Sequence, residues 1–174
     1  MGITIGVGAL GALIVSGAAT IFDLRSGRIP NALTLGAAAT GLIVGAITQG
    51  PNGASQSVAG WLVGCALFLP FFLLGGMGAG DVKLLAALGA WLGPSTTVFV
   101  ALYTAVAGGV MAIVLSALRG YLTPLFMNLW GLLMFWRVAG LQPMPGLTLR
   151  TAASPRLPYA LPIAAGTVTA LWFR

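Results

Sequence analysis

Two acidic side chains, Asp23 and Asp81, are the only carboxylates in this sequence of 174 residues, and each stands at the edge of an apolar run. A carboxylate at the centre of a bilayer costs about 3 kcal/mol even on lenient insertion scales, so such a residue is a candidate functional site. The chain has no His, which excludes a Ser/His/Asp triad. One Cys and no imidazole also leave too few ligands for a transition-metal site, and a hard cation held by two Asp is a weak alternative.

Two facing carboxylates do not both ionise readily, so one keeps a proton while its partner stays charged. The charged one can then act as a general base on water, and the protonated one can polarise a carbonyl group. Ordinary roles compete with this interpretation. Asp23 can end a helix or pair with Arg25 or Arg28, and Asp81 can cap the start of a helix. The pairing of two acids at one predicted depth, in a chain otherwise without them, favours the catalytic interpretation.

The composition indicates which kind of structure must position these acids. Hydrophobic residues make up 59 % of the chain and charged residues 6 %, against about 25 % charged in a soluble domain. We therefore expect an all-α, polytopic membrane helical bundle that forms a single domain over residues 1–174. About six membrane-embedded helices are expected, at 3–22, 32–48, 58–74, 81–93, 95–118 and 159–173.

The segment 121–139 is apolar but contains Pro124, Asn128 and Arg137, so an interfacial helix is expected there rather than a span. Helix 81–93 is too short to cross a bilayer, which predicts that its glycine-rich entry lies below the membrane surface. The net charge of +6 comes from scattered basic residues, so nucleic-acid binding is not expected. With the N-terminus outside, seven basic residues fall at the cytoplasmic face, namely Arg25, Arg28, Lys83, Arg119, Arg137, Arg150 and Arg156.

Two motifs carry a resemblance to a known family. Gly78-Ala79-Gly80-Asp81 is similar to the GxGD motif of intramembrane aspartic proteases. This motif, together with the segment Asp23-Leu-Arg-Ser-Gly-Arg-Ile-Pro-Asn31, resembles the type IV prepilin peptidases. The small size is similar to the short branch that serves Flp/Tad-type pili and lacks the zinc-binding methylase domain. The segment 158–162 (Pro-Tyr-Ala-Leu-Pro) is also similar to the one that opens the family's last helix.

The resemblance implies an aspartic endopeptidase with Asp23 and Asp81 as its catalytic pair. Its substrate would be a prepilin or pseudopilin whose basic leader is cut at the cytoplasmic face of the bacterial inner membrane. No cofactor or metal is expected, and with one Cys in the chain N-methylation is not expected either. The sequence leaves the oligomeric state open.

For the other candidate site residues, two interpretations stay open. Arg25 and Lys83 either fix orientation at the membrane surface or meet an acidic residue of the substrate. Gly76, Gly78 and Gly80 either allow close packing or expose backbone groups that pair with an extended substrate. Two other functions also remain, a GxGD protease with a different membrane substrate and a small proton or cation transporter that uses the same acids.

Overall fold

The computed structural model describes residues 6–144 and 158–173, and these residues form five helices with no strand. In chain order they are α1 (Val7–Ser26), α2 (Asn31–Leu73), α3 (Ala79–Leu118), α4 (Leu122–Ala139) and α5 (Ala160–Trp172). Helices α1 to α4 are each long and apolar enough to cross a membrane. The expectation of an all-α, polytopic helical bundle is confirmed.

Glycine followed by proline breaks each of the two longest helices into two arms. Gly50 (φ 61°) divides α2 before Pro51, and Gly93 (φ 76°) divides α3 before Pro94. Both glycines take the left-handed conformation that other residues adopt at a cost, and proline is favoured at the first position of the arm that follows. The two arms of each helix lie against each other, with Gly45 near Gly53 in α2 and Gly89 near Thr97 in α3, so the described residues form seven helical segments.

Three predicted boundaries were wrong. The expected helices 32–48 and 58–74 are separated by one glycine only, because the chain is helical again from Pro51 onward. Helix α1 continues to Ser26 instead of ending at Phe22, which places Asp23 inside its last turn. Helix α2 begins at Asn31 instead of residue 32, with Pro30 as its cap residue in extended backbone (ψ 136°).

The first arm of α3, residues 79–92, is the centre of the bundle. Every residue from Val82 to Ala90 except Lys83 is buried, and Leu84, Leu85 and Leu88 have no exposed surface. A helix that is apolar on all sides is expected to be surrounded by other helices. This arm rises only about 21 Å, and its first turn carries Asp81.

Small residues let the neighbouring helices approach this central arm closely. Gly60 and Gly64 of α2 lie directly against the α3 backbone at Gly89 and at Leu85–Ala86, respectively. On the other side, the second arm of α3 packs against α5, where Gly166 lies against Thr104. Close backbone approach at small residues is the usual basis of helix packing in membranes.

Helix α4 has no buried residue among its 18, and it packs only lightly against the end of α3. It is long and apolar enough to span, so its interfacial position stays a prediction. Of the basic residues counted for orientation, Arg150 and Arg156 lie outside the described residues.

Candidate active site

Asp23 is held at the end of α1 by the start of α5. Its Oδ2 atom accepts a hydrogen bond of 3.1 Å from the backbone N–H of Ala160. In return, Thr20, almost one turn earlier in α1, donates its hydroxyl to the carbonyl oxygen of Ala160 at 3.2 Å. The first amide of α5 has no partner within its own helix, so a carboxylate is a suitable acceptor there. The two bonds fix the Asp23 side chain against α5.

Asp81 is the third residue of α3 and binds the backbone that precedes its own helix. Its Oδ2 atom accepts a hydrogen bond of 3.2 Å from the N–H of Gly78, and the Asp81 N–H donates to the Gly78 carbonyl at 3.2 Å. A carboxylate in the first helical turn is favoured by the helix dipole. Asp81 therefore stabilises the start of its helix, as predicted, but the cap residue itself is Gly78.

The fold brings the two acids to the same end of the bundle. Asp23 lies in the last turn of α1 and Asp81 in the first turn of α3. Both side chains are partly buried, and they are close enough for the charge of one to act on the other. The phenol group of Tyr159, just before α5, is within reach of the Asp81 charge as well. Two carboxylates in this arrangement can divide the roles of general acid and general base.

The three predicted glycines differ in what surrounds them. A methyl group on Gly80 would lie 3.3 Å from Cβ of Ile29, and one on Gly78 would lie 3.0 Å from the Asp81 carboxylate. Gly76 has more room, since the nearest atom to an added methyl group is the Phe71 carbonyl oxygen at 3.6 Å. Gly78 and Gly80 thus allow close packing around Asp81, whereas Gly76 is an exposed residue of the connecting segment.

The two predicted basic residues, Arg25 and Lys83, lie exposed at the rim of the site. Lys83 donates a hydrogen bond of 3.0 Å to the side-chain oxygen of Asn31, which links α3 to the start of α2. Arg25 is in the last turn of α1, where the helix dipole favours a positive charge.

Tyr159 and Ala160 were not predicted as site residues. They lie in a segment that resembles one in a known family, but nothing in a single sequence shows that the Ala160 amide would meet Asp23. Backbone amides carry no residue-type signal. Thr20 was missed for a related reason, because a hydroxyl inside an apolar helix usually bonds its own backbone, as Thr20 also does to Ser16 at 2.8 Å.

No cluster of three or more His, Cys, Asp or Glu that could hold a metal ion occurs within residues 6–144 and 158–173. The two carboxylates present are each bonded to backbone N–H groups.

Comparison with known proteins matches residues 10–113 to the model of the type IV leader peptidase family. This range contains both Asp23 and Asp81. No solved structure matches the chain.

Among curated relatives, a prepilin leader peptidase/N-methyltransferase of Aeromonas salmonicida is 38 % identical over 131 residues, which cover 70 % of this chain and 45 % of the relative. A type 4 prepilin-like proteins leader peptide-processing enzyme of Escherichia coli is 35 % identical over 116 residues, covering 61 % and 43 %. A prepilin leader peptidase/N-methyltransferase of Burkholderia pseudomallei is 40 % identical over 103 residues, covering 56 % and 33 %. The chain thus spans less than half the length of these curated relatives. On the match to the family model, the chain belongs to the type IV leader peptidase family.

Proposed function

We propose that this protein is an aspartic endopeptidase that removes the basic leader from prepilin-like or pseudopilin-like proteins, with residues 1–174 acting as one membrane-embedded peptidase domain. The observation that carries the proposal is that Asp23 and Asp81, the only two acids in the sequence, lie at the same end of the helical bundle. Family membership and the names of the relatives support the substrate class.

In the proposed mechanism the ionised carboxylate removes a proton from a water molecule as the water attacks the scissile carbonyl carbon. The protonated carboxyl group donates its proton to the carbonyl oxygen, which gives a neutral tetrahedral gem-diol. The C–N bond then breaks as the nitrogen takes a proton from one carboxyl group, and the gem-diol returns its proton to the other. No metal or cofactor enters any step.

The position of the pair supports cleavage close to a membrane surface. Asp23 lies three residues before the end of α1, and Asp81 is the third residue of α3. Both acids are therefore within one turn of a helix end. Such a position suits a substrate whose cut lies just before its hydrophobic segment.

The proposed location is the bacterial inner membrane, with the site facing the cytoplasm. Exposed Arg25, Arg28 and Lys83 lie at the same end of the bundle as both acids, and the positive-inside rule places such residues in the cytoplasm. Ser26→Cys in a Cys65→Ser background gives a single-thiol protein for testing this. An impermeant maleimide is expected to label it in inverted vesicles but not in intact spheroplasts, and the reverse pattern would contradict the orientation.

Arg25 and Lys83 are proposed to act mainly in orienting the protein. Neutral replacements, Arg25→Gln and Lys83→Gln, are expected to lower leader removal less than tenfold, because exposed ionic contacts contribute little. A larger loss of cleavage in correctly inserted protein would instead indicate a contact with an acidic residue of the substrate.

The proposed activity is tested by cleavage of a purified prepilin by the protein in liposomes, read as a shift on a gel. Asp23→Asn and Asp81→Asn are each expected to lower the cleavage rate about 10²- to 10⁴-fold, which is the usual contribution of a general acid or base. Asp81→Glu should also lose on the order of 10²-fold, because a displacement near 1 Å has this effect.

Asn52→Ala is the control, since Asn52 is exposed beside Gly50, at the break between the two arms of α2. It is expected to cleave at the normal rate. Full processing by either Asp→Asn variant would refute the catalytic pair. If no prepilin is cleaved by the unmodified protein, the proposed function itself is wrong. The proposal covers removal of the leader and does not include N-methylation.

A further inference from the structure

Tyr159 adjoins the amide that binds Asp23, and the mechanism proposed above gives it no role. The residue after it donates its amide to Asp23, and its phenol group is within reach of the Asp81 charge. Its ring packs against the central apolar core of the bundle. One residue therefore links the backbone that holds Asp23 to a hydroxyl group on the side of Asp81.

The surroundings of the ring fix where its hydroxyl lies. Gly108 of α3 has no side chain, and the Tyr159 hydroxyl lies 3.1 Å from the position of an added methyl group. On the backbone side, the Ala160 N–H and C=O are bonded to Asp23 and Thr20 of α1. Since packing at Gly108 and hydrogen bonds at Ala160 hold both ends of the residue, its hydroxyl is kept at a constant place relative to the acids.

We propose that Tyr159 is a positioning residue of the catalytic pair, which holds Asp23 through the adjoining amide and presents its hydroxyl to the Asp81 side of the site. This inference rests on the proposed function. A neutral phenol is a hydrogen-bond donor that does not add charge, so it can orient an ionised carboxylate without neutralising it. Hydrogen bonds to charged groups are also the stronger ones. The phenol is within reach of the Asp81 charge from α3, and Asp23 of α1 is bonded to the adjoining Ala160 amide.

The first test is Tyr159→Phe, which keeps the ring and removes only the hydroxyl. The expected result is a fall in kcat of roughly tenfold or more, as for loss of one hydrogen bond to a charged group, with KM nearly unchanged. The acidic limb of the pH–rate profile is expected to move to higher pH, because the ionised acid loses a donor. Tyr103→Phe is the matched control, since Tyr103 packs beside Phe173 at the other end of α5.

A second variant tests the packing of the Tyr159 hydroxyl against Gly108 of α3. Gly108→Ala places a methyl group close to the phenol oxygen and is expected to lower kcat in the normal background. Combined with Tyr159→Phe it should cause little further loss, because the atom that it crowds is gone. Additive losses in the double variant would show that Gly108 acts through packing alone and would overturn the proposed role.

A readout without substrate separates this proposal from the proposed function. Because the chain has only two acidic side chains, infrared titration of carboxyl bands reports on few groups. Tyr159→Phe is expected to change the midpoint of the band that Asp81→Asn removes, and Tyr103→Phe to leave it unchanged. If Tyr159→Phe alters neither this midpoint nor kcat while prepilin is still cleaved, the Tyr159 role is wrong and the peptidase stands. If no prepilin is cleaved at all, the infrared result alone decides the role of Tyr159.

Discussion

The contact between Gly64 of α2 and the central arm of α3 should determine where Asp81 lies. A methyl group on Gly64 would lie 2.6 Å from the Leu85 carbonyl oxygen and 2.7 Å from the Ala86 Cα atom, whereas ordinary contacts begin at 3.4 Å. Both atoms belong to the helix backbone, so no side chain can rotate away. Gly64→Ala must therefore separate the two helices by about 0.8 Å, the difference between 3.4 Å and 2.6 Å.

Leu85 is one helical turn after Asp81, so this displacement is expected to reach the proposed catalytic carboxylate. A shift near 1 Å in a reacting group lowers the rate on the order of 10²-fold. Overpacking a helix contact also lowers the free energy of unfolding by about 1–3 kcal/mol. Prepilin cleavage in liposomes measures the first effect, and thermal unfolding in detergent, followed by circular dichroism, measures the second.

Gly36→Ala is the matched control for this experiment. Gly36 is also a helical glycine of α2, but it is exposed and an added methyl group has no neighbour within 4 Å. The substitution is expected to leave cleavage unchanged and to keep or raise stability, since alanine favours helix over glycine by up to about 1 kcal/mol. If Gly64→Ala is as active and stable as Gly36→Ala, the reasoning about close helix contacts is refuted.

Three further predictions concern the frame around the site. Gly80→Ala is expected to lower cleavage because the methyl group would lie 3.3 Å from the Cβ atom of Ile29, and adding Ile29→Gly, which removes that atom, should restore part of the rate; no rescue in the double variant would contradict the contact. Trp91→Phe removes the hydrogen bond of 2.8 Å from the indole N–H to the Ala37 carbonyl and should lower the free energy of unfolding by about 1 kcal/mol, which a melting curve in detergent checks. Excess EDTA is expected to leave prepilin cleavage unchanged, and a loss that added Mg²⁺ or Zn²⁺ restores would show that a metal takes part.

The helical framework was largely predictable because its breaks have residue-type signals. Gly50-Pro51 and Gly93-Pro94 each combine a residue that tolerates positive φ with one that cannot continue a helix. The buried arm after Asp81 was predicted to be short and membrane-embedded, since Gly93 ends it. The extent of the turn at Gly50 was not predictable, because the polar residues of 51–56 are compatible with an exposed helix end as well as with a loop.

The acids of the site were predictable, and their supports were not. Asp23 and Asp81 stand out because carboxylates are costly in an apolar chain. The Ala160 amide and the Gly108 surface carry no such signal, since their roles arise only when α5 packs between α1 and α3. Helix α4 remains ambiguous for another reason: its residues are mostly apolar, with Asn128 and Arg137 among them, and none is buried within the described chain, so neither pattern nor packing fixes its depth.

The claim on which this account depends is that Asp23 and Asp81 act as one unit, and infrared titration of the carboxyl groups in liposomes tests it most directly. Spectra of the unmodified protein, Asp23→Asn and Asp81→Asn are each recorded against the double Asn variant as background. We predict that removing either acid changes the titration midpoint of the other. Midpoints that stay the same whether or not the partner acid is present would contradict the account.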